Sequence, residues 1–218
     1  MDKRLTIFAG HYGSGKTNLA VNYALALKKK GLPVKIADLD IVNPYFRTKD
    51  SEKELAEAGI PLISPAYANS NVDLPALPQE LYSLVQRKDH HAVLDVGGDD
   101  RGAYALGRYT PYILEENDYR MVFVANFYRP LTTTPEEALE VMGEIEAACG
   151  IQFTCIANNS NLGGITTADD IRATEEKAKK LCVLSGLPLW MTSAEASVAE
   201  DGWFPMTLQE KYYDINLT

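Results

Sequence analysis

The stretch GHYGSGKT, from Gly10 to Thr17, combines glycines with a lysine and a hydroxyl residue at a spacing that suits phosphate binding. Glycines allow a tight loop whose backbone N–H groups point inward. A helix that begins there adds unpaired N–H groups and the positive end of its dipole. Lys16 would neutralise the β- and γ-phosphates, and the Thr17 hydroxyl would ligate Mg²⁺. The predicted phosphate-binding residues are Gly10, His11, Tyr12, Gly13, Ser14, Gly15, Lys16, Thr17 and Asn18.

Carboxylates follow two other apolar runs, where a magnesium site needs them. Asp38 and Asp40 follow the run VKIA, and Asp95 ends the run HAVLD. We predict Mg²⁺ ligands at Thr17, Asp95 and Asp40, with Asp95 acting partly through water. The predicted catalytic groups are Lys16, as the charge stabiliser, and either Asp40 or Asp38, as the carboxylate that positions the attacking water.

The surrounding sequence alternates short apolar runs with helical patterns. Near-continuous apolar runs such as MVFVA fit strands that are buried on both faces. We therefore predict an α/β fold: a doubly wound, mostly parallel sheet with helices on both faces, as in P-loop NTPases, forming one domain over residues 1–218. The predicted strands are RLTIFA, PVKIAD, PLISPA, HAVLDV, YRMVFVAN, IQFTCIAN and LPLWMT.

Several helices carry end signals. Ser51 and Glu54 form a capping-box pattern, and Thr134 precedes Pro135 at a predicted first helical position. The segment AYALGRYTPYIL predicts a helix that ends at Pro111, and TTADDIRATEEKAKKLCVLSG predicts one long helix. The tail GWFPMTLQEKYYDINLT has no clear period.

Composition narrows the function classes. Lys and Arg number 21 against 30 Asp and Glu, a formal net charge of −9, which disfavours nucleic acid as a partner. Cys149, Cys155 and Cys182 form no CxxC pair, which fits free thiols in a reducing cytosol. The chain has no apolar run of the ~18 residues that a membrane span needs. We expect a soluble, cytoplasmic protein without a membrane partner.

The order of the motifs resembles that of the MinD/ParA-type ATPases, the CobQ/CobB/MinD/ParA nucleotide-binding domain, from the loop at Gly10 to about Trp190. In that family a DxD pair after the second strand forms switch I, which implies that Asp40 is preferred over Asp38 for positioning water. The resemblance also implies that a strand-end aspartate and a following glycine, here Asp95 and Gly98, form switch II.

The resemblance extends to the base. In the family a late strand ends in an asparagine that reads adenine; this implies Asn158 as the reader and Asn159 as second. The segment from Met191 to Ala199 resembles the loop that covers the base. The run NNSN also lacks the lysine and aspartate of the NKxD pattern of GTP sites, so we expect ATP and ADP, with Mg²⁺, as cofactors.

One departure from the family lies inside the loop. The family has a signature lysine where this chain has His11, and that lysine reaches the partner's nucleotide in an ATP-bridged homodimer. Its absence leaves trans-activation open, and Arg47 or Arg101 could supply the charge. Switch I, from Asp40 to Arg47, includes Pro44, Tyr45 and Phe46, which suit either a protein partner or core packing.

Three functions remain open at this point. The first is a slow ATPase that acts as a nucleotide-dependent switch for a partner protein. The second is an enzyme of the same fold, similar to dethiobiotin synthetase or the cobyrinate amidases, that activates a substrate carboxylate; the segment RPLTTT, from Arg129, would then contribute to its pocket. The third is a non-catalytic nucleotide-binding module.

Overall fold

A computed structural model describes residues 2–40, 48–64, 79–98 and 100–209. Within these residues eight strands, all parallel, form one sheet in the order β3-β2-β4-β1-β5-β6-β7-β8. The doubly wound α/β fold predicted from the sequence is confirmed. The strands are β1 Leu5–Ala9, β2 Val34–Leu39, β3 Leu62–Ile63, β4 His91–Val96, β5 Tyr119–Ala125, β6 Cys155–Asn158, β7 Leu189–Glu195 and β8 Phe204–Met206.

Helices connect these strands and cover both faces of the sheet. The helices of the described residues are α1 Lys16–Lys29, α2 Glu52–Glu57, α3 Gln79–Gln86, α4 Asp100–Gly107, α5 Thr110–Glu116, α6 Pro135–Cys149, α7 Ala168–Arg172 and α8 Glu175–Ser185, with a 3₁₀ turn at Thr48–Ser51. None of the helices in the described part of the chain is long and apolar enough to cross a membrane.

The core has two halves, one on each face of the sheet. In β1, Leu5 and Ile7 pack with α3, α4 and α6 on one face, while Phe8 packs with α1 on the other. Because successive side chains of a strand point to opposite faces, a strand covered on both sides must be apolar throughout. This is the reason that LTIFA, buried at every position, is apolar except for Thr6.

The strand order places the loop after β1 at a topological switch point. From β1 the chain crosses past β4 to β2, whereas from β5 it continues in the opposite direction to β6. The connections that follow the neighbouring strands β1 and β5 therefore diverge at the carboxyl edge of the sheet, where such folds bind ligands. The loop at residues 10–15 opens into that crevice.

Some local predictions were wrong. Pro111 lies in the first turn of α5 instead of ending a helix, because proline lacks only an N–H that a first turn leaves unpaired. Ser51 lies at the N-cap position of α2 as predicted, but its side chain makes no capping hydrogen bond; its hydroxyl accepts a hydrogen bond from the Gln209 side chain at 2.6 Å. By contrast, the Thr134 capping box of α6 is present, with Glu137 as its second member.

The C-terminal third also differs from expectation. The predicted long helix is broken into α7 and α8, where the Thr174 hydroxyl donates to the Ile171 carbonyl at 2.7 Å and competes with the helical pattern. The segment predicted to be a loop from Met191 begins inside β7, which continues to Glu195. The tail without a period contributes β8, which pairs in parallel with β7.

A buried ion pair lies at the amino ends of the strands, on the side of the sheet opposite the loop at residues 10–15. The Arg4 side chain is 7% exposed and pairs with the Glu116 carboxylate. The guanidinium also donates to the carbonyls of Leu84 and Arg87, each at 3.0 Å, at the end of α3. One side chain thus satisfies carbonyls that the last turn of a helix leaves unpaired.

We predict that Arg4→Ala lowers the free energy of unfolding by about 3–5 kcal/mol, because it leaves the Glu116 carboxylate buried without a partner. Denaturant unfolding measures the change. Lys3→Ala is the matched control, since Lys3 forms an exposed pair with Asp118 at 3.3 Å and should change stability by less than about 1 kcal/mol. Equal effects of the two substitutions would contradict the role given to Arg4.

Candidate nucleotide-binding site

The loop at residues 10–15 joins β1 to α1 in a compact turn. The Ser14 N–H donates to the His11 carbonyl at 3.1 Å, and helical bonding begins with Leu19 N–H donating to the Gly15 carbonyl at 3.1 Å. Gly15 has φ +79°, and a Cβ placed there would lie 2.4 Å from Nδ2 of Asn159. Both the backbone conformation and the close approach of Asn159 therefore require glycine at this position.

Lys16 lies inside the site, with its side chain buried. A Cβ at Gly98 would lie 3.0 Å from the Lys16 Nζ and 2.8 Å from the Tyr12 backbone nitrogen. The segment that follows β4, predicted to be switch II, thus packs directly on the loop, and only a glycine fits. The buried Ser14 hydroxyl has no hydrogen-bond partner among the described residues.

The predicted catalytic and metal-binding carboxylates lie together at the ends of β2 and β4. Asp38 and Asp95 are register partners in the β2–β4 pair. The Asp38 carboxylate accepts a hydrogen bond from the Asp40 N–H at 2.8 Å, and all three residues are buried. A Cβ at Gly97 would lie 3.3 Å from Oδ1 of Asp40. The sheet register therefore brings these carboxylates together although the sequence separates them widely.

Asp95 is fully buried, and among the described residues only one of its two carboxylate oxygens has a hydrogen-bond partner. Its Oδ2 accepts a hydrogen bond from the Thr48 hydroxyl at 3.0 Å, whereas Oδ1 has no partner in the part of the chain that the structure describes. Burial raises the pKa of Asp95 to about 6, against the opposing effects of the Lys16 ammonium and the Thr17 and Thr48 hydroxyls. A buried carboxylate with one free oxygen is a group that a cation would stabilise.

These donors fit a nucleotide with Mg²⁺ better than a metal held by protein alone. Among the described residues, no group of three or more His, Cys, Asp or Glu side chains could hold a metal ion. Mg²⁺ in such loops usually takes few protein ligands and completes its shell with waters and phosphate oxygens. The Thr17 hydroxyl, the unpartnered Asp95 oxygen and the unpartnered Ser14 hydroxyl suit that arrangement.

The two asparagines predicted to read the base make internal hydrogen bonds. Asn158 is fully buried; its Nδ2 donates to the Thr174 hydroxyl at 2.9 Å, and its Oδ1 accepts from the Ser160 hydroxyl at 2.7 Å. Asn159 donates to the Ser14 carbonyl at 2.7 Å and accepts from the Ser193 hydroxyl at 2.8 Å. Asn159 thus ties the end of β6 to the phosphate loop, and contact of either amide with a base stays a prediction.

A cavity of about 80 Å³ lies beside these asparagines, at the carboxyl ends of β6 and β7. Its walls include Asn159, Asn161 and Glu195, but not Asn158. Asn18, another predicted cofactor-binding residue, also lines the cavity, and its side chain accepts from the Gln209 N–H at 3.1 Å. Residues from the end of β7, at the start of the segment predicted to cover the base, therefore form one wall.

The position of the absent lysine is occupied by a neutral group. Burial, and after it the nearby Lys16 ammonium, lowers the pKa of His11, so the imidazole is uncharged at pH 7. Arg47 and the apolar residues 44–46 lie outside the described residues, and the Arg101 side chain is not described either. Their predicted roles stay predictions.

Two residues of the site, Thr48 and Asn161, were not predicted, and Arg129 was predicted only as part of a segment that would line a substrate pocket. Thr48 binds Asp95, Asn161 lines the cavity, and Arg129 donates from Nε to the Gly13 carbonyl at 3.2 Å. Asn161 belongs to the NNSN run that drew attention to its neighbours. The contact of Arg129 depends on β5 lying beside β1, which local sequence patterns do not encode.

Comparison with known proteins gives structural matches only. No family model and no curated protein matches the chain. FtsY, a cell division protein of Thermotoga maritima, matches with a TM-score of 0.62 and 15% identity over 88% of this chain and 61% of that one. The signal recognition particle receptor FtsY of Elizabethkingia anophelis, in complex with GDP, matches at 0.55 and 14% identity, over 89% and 58%.

A third match is the signal recognition particle 54 kDa protein of Aeropyrum pernix, in complex with GDP, at 0.52 and 12% identity, over 86% of this chain and 40% of that one. The chain has the α/β fold of P-loop NTPases. It spans less than two thirds of the length of these matched structures. The P-loop fold is thus established, whereas the resemblance to MinD/ParA-type ATPases is not confirmed, since the three structures named above are FtsY proteins and the 54 kDa protein.

The pKa of Asp95 predicts how stability depends on pH. The pKa of Asp95 is about 4 in the unfolded chain and about 6 in the folded protein. Between these two pH values the folded protein binds more protons than the unfolded chain, so the folded protein loses stability as the pH rises and Asp95 ionises. We predict that Asp95→Asn raises the melting temperature of the nucleotide-free protein at pH 8, with little effect near pH 4. Thermal unfolding across this range measures the gain.

Asp89 provides the control for this prediction. It is exposed, and its hydrogen bond to His90 lowers its pKa. Asp89→Asn should therefore not stabilise the protein at pH 8. A lower melting temperature for Asp95→Asn than for the parent protein at pH 8 would contradict this prediction. It would show that neighbouring groups stabilise the buried Asp95 charge.

Proposed function

We propose that this protein is a nucleotide-dependent switch that binds ATP with Mg²⁺, hydrolyses it slowly and acts on a partner protein. One observation carries the proposal: a P-loop with a buried lysine faces a buried aspartate whose free oxygen has no partner among the described residues. That arrangement is poorly satisfied without a ligand, and Mg²⁺ with a triphosphate supplies the charges and ligands that it lacks.

Each group of the site has a distinct task in this proposal. Lys16 and the P-loop N–H groups would bind the phosphates, and Thr17 and Asp95 would hold Mg²⁺, with Asp40 near enough to contribute. When bound, ATP with Mg²⁺ supplies the phosphoryl group that is transferred to water. Asp40 would orient the water, while Asp38 holds the Asp40 backbone through the N–H that it accepts at 2.8 Å.

The choice of ATP over GTP is part of the proposal. The run after β6 is asparagine-rich and lacks the aspartate that accepts the guanine N–H groups in an NKxD site. GTP is the second candidate, because two matched structures are complexes with GDP and because Glu195 places a carboxylate at the cavity wall. A carboxylate there could accept from guanine as an aspartate does.

The partner role is supported by the way the loop is built. Gly98 packs on Tyr12 and Lys16, so a change of nucleotide state at the P-loop would move the segment after β4. Tyr12 itself is 55% exposed at the mouth of the site. We propose that Tyr12 and the segment after β4 contact a partner protein, which is either a different protein or a second copy of this chain.

We predict that the wild type binds ATP in the presence of Mg²⁺ and that Lys16→Ala weakens binding by at least about tenfold, because the buried ammonium is lost. Isothermal titration with ATP and with GTP, side by side, measures both affinities. Lys53→Ala, an exposed lysine on α2, is the control and should bind as the wild type does. Equal affinities of wild type and Lys16→Ala would refute the assignment of the loop.

A second prediction separates binding from hydrolysis. Asp40→Asn should retain ATP binding but slow turnover by about 100-fold or more, because the amide orients water poorly and cannot accept its proton. Phosphate release under single-turnover conditions measures the rate. Asp118→Asn, at the opposite edge of the sheet, should turn over normally. Unchanged turnover in Asp40→Asn would remove Asp40 from this role.

A further inference from the structure

We propose that Arg129, from the connection between β5 and α6, supplies the positive charge for the terminal phosphate that His11 does not provide. This inference rests on the proposed function. It gives the P-loop an arginine from its own chain, where an arginine from another segment or from a partner stabilises the transferred phosphoryl group in other P-loop proteins.

Arg129 lies directly against the P-loop. Its Nε donates to the Gly13 carbonyl at 3.2 Å, and its side-chain carbon Cδ lies 3.5 Å from where a Cβ at Gly13 would be. Gly13 is in the middle of the loop. A single hydrogen bond through Nε leaves the N–H groups of both terminal nitrogens available for an anion.

The Arg129 guanidinium has no acidic partner in the described part of the chain, although the protein is strongly acidic. None of the ion pairs of the described residues involves Arg129. Other exposed arginines differ among themselves: Arg87 and Arg172 pair with carboxylates, whereas Arg108 has no ion pair among the described residues. An arginine held at a phosphate loop without a counter-charge is oriented for an anion that comes from outside the chain.

The turn that carries Arg129 is held firmly. The Arg129 N–H donates to the Asn126 carbonyl at 3.1 Å, and the Thr132 hydroxyl donates to the same carbonyl at 2.8 Å. The Phe127 N–H donates to the Ser160 hydroxyl at 3.0 Å, which ties the turn to the end of β6. The arginine is thus presented from a fixed backbone instead of from a free surface loop.

Two residues after Arg129, the backbone is in a sparsely populated conformation. Leu131 has φ +63°, in the left-handed region that a branched side chain rarely adopts, and its side chain is 59% exposed. Burial of the leucine does not explain this conformation. Strained backbone persists where the surrounding contacts over-determine it, and such positions cluster at ligand sites.

The terminal phosphate is the group that Arg129 would meet. The inner phosphates are enclosed by the loop N–H groups and by Lys16, which is buried beneath them. Arg129 is exposed at the outer side of the loop, where the end of a phosphate chain faces solvent. The Arg129 charge should therefore raise the affinity for a nucleoside triphosphate and change the affinity for a diphosphate much less.

The test compares ATP with ADP by isothermal titration in the wild type and in Arg129→Ala, Arg129→Gln and Arg129→Lys. We expect Arg129→Ala and Arg129→Gln to lose about tenfold or more in ATP affinity, while ADP affinity changes by less than about twofold. Arg129→Lys should retain part of the preference for ATP, because it keeps the charge. Arg87→Ala is the matched control for an exposed arginine and should leave both affinities unchanged.

The outcomes separate this inference from the proposed function. If Arg129 only fastens the turn, ATP and ADP affinities should fall by the same factor, melting temperature should drop, and Arg129→Gln should be milder than Arg129→Lys; that pattern overturns the inference. Unchanged ATP affinity in Arg129→Ala overturns it as well, while the Lys16→Ala result still supports the P-loop. Failure of the wild type to bind either nucleotide would remove both.

Discussion

The burial of a carboxylate and an ammonium group at one edge of a parallel sheet is the constraint on which the rest of this structure depends. Asp95 has no exposed surface and Lys16 almost none, so both charges are removed from most of the water that would stabilise them. The remaining compensation comes from hydroxyls and from each other, and it leaves an Asp95 oxygen unpartnered among the described residues. A protein retains such an arrangement where a ligand completes it.

The sheet makes this arrangement possible. Parallel strands end at the same edge, and the β2–β4 register sets Asp38 beside Asp95. Helices cover both faces of the central strands β1, β4 and β5, whose residues belong to both halves of the core. Gly98, the second residue after β4, allows its segment to contact the loop backbone and the Lys16 ammonium. Distant residues of the sequence therefore meet with little freedom to separate.

Local patterns predicted much of this. Gly15, Lys16 and Thr17 follow an apolar strand and open a helix, and each of those signals lies within a dozen residues. The start of α6 was likewise readable, because Thr134 and Pro135 mark it by themselves. The predicted ATPase family and the predicted base readers rested instead on resemblance, and neither is established by the fold.

What local patterns could not predict depends on strand order and on tertiary contacts. Nothing in the run AYALGRYTPYIL separates a proline that ends a helix from one that begins the next. The hydrogen bond from the Asn158 amide to the Thr174 hydroxyl depends on the break before α8, which the sequence did not reveal. Arg129 meets Gly13 only because β5 pairs with β1. Each of these outcomes is decided by a neighbour far away in the chain.

The same tertiary contacts link the two ends of the candidate site. The Asn126 side-chain oxygen accepts the N–H groups of Tyr128 and of Asn161, at 3.1 and 3.2 Å. Tyr128 belongs to the turn that presents Arg129, whereas Asn161 lines the cavity at the end of β6. The fully buried Asn126 amide holds both segments in place. A ligand that displaced one segment would therefore have to break a hydrogen bond of Asn126 or move the other segment as well. One amide thus anchors both the cavity wall and the turn that presents Arg129, which is the kind of link that the proposed switch would need.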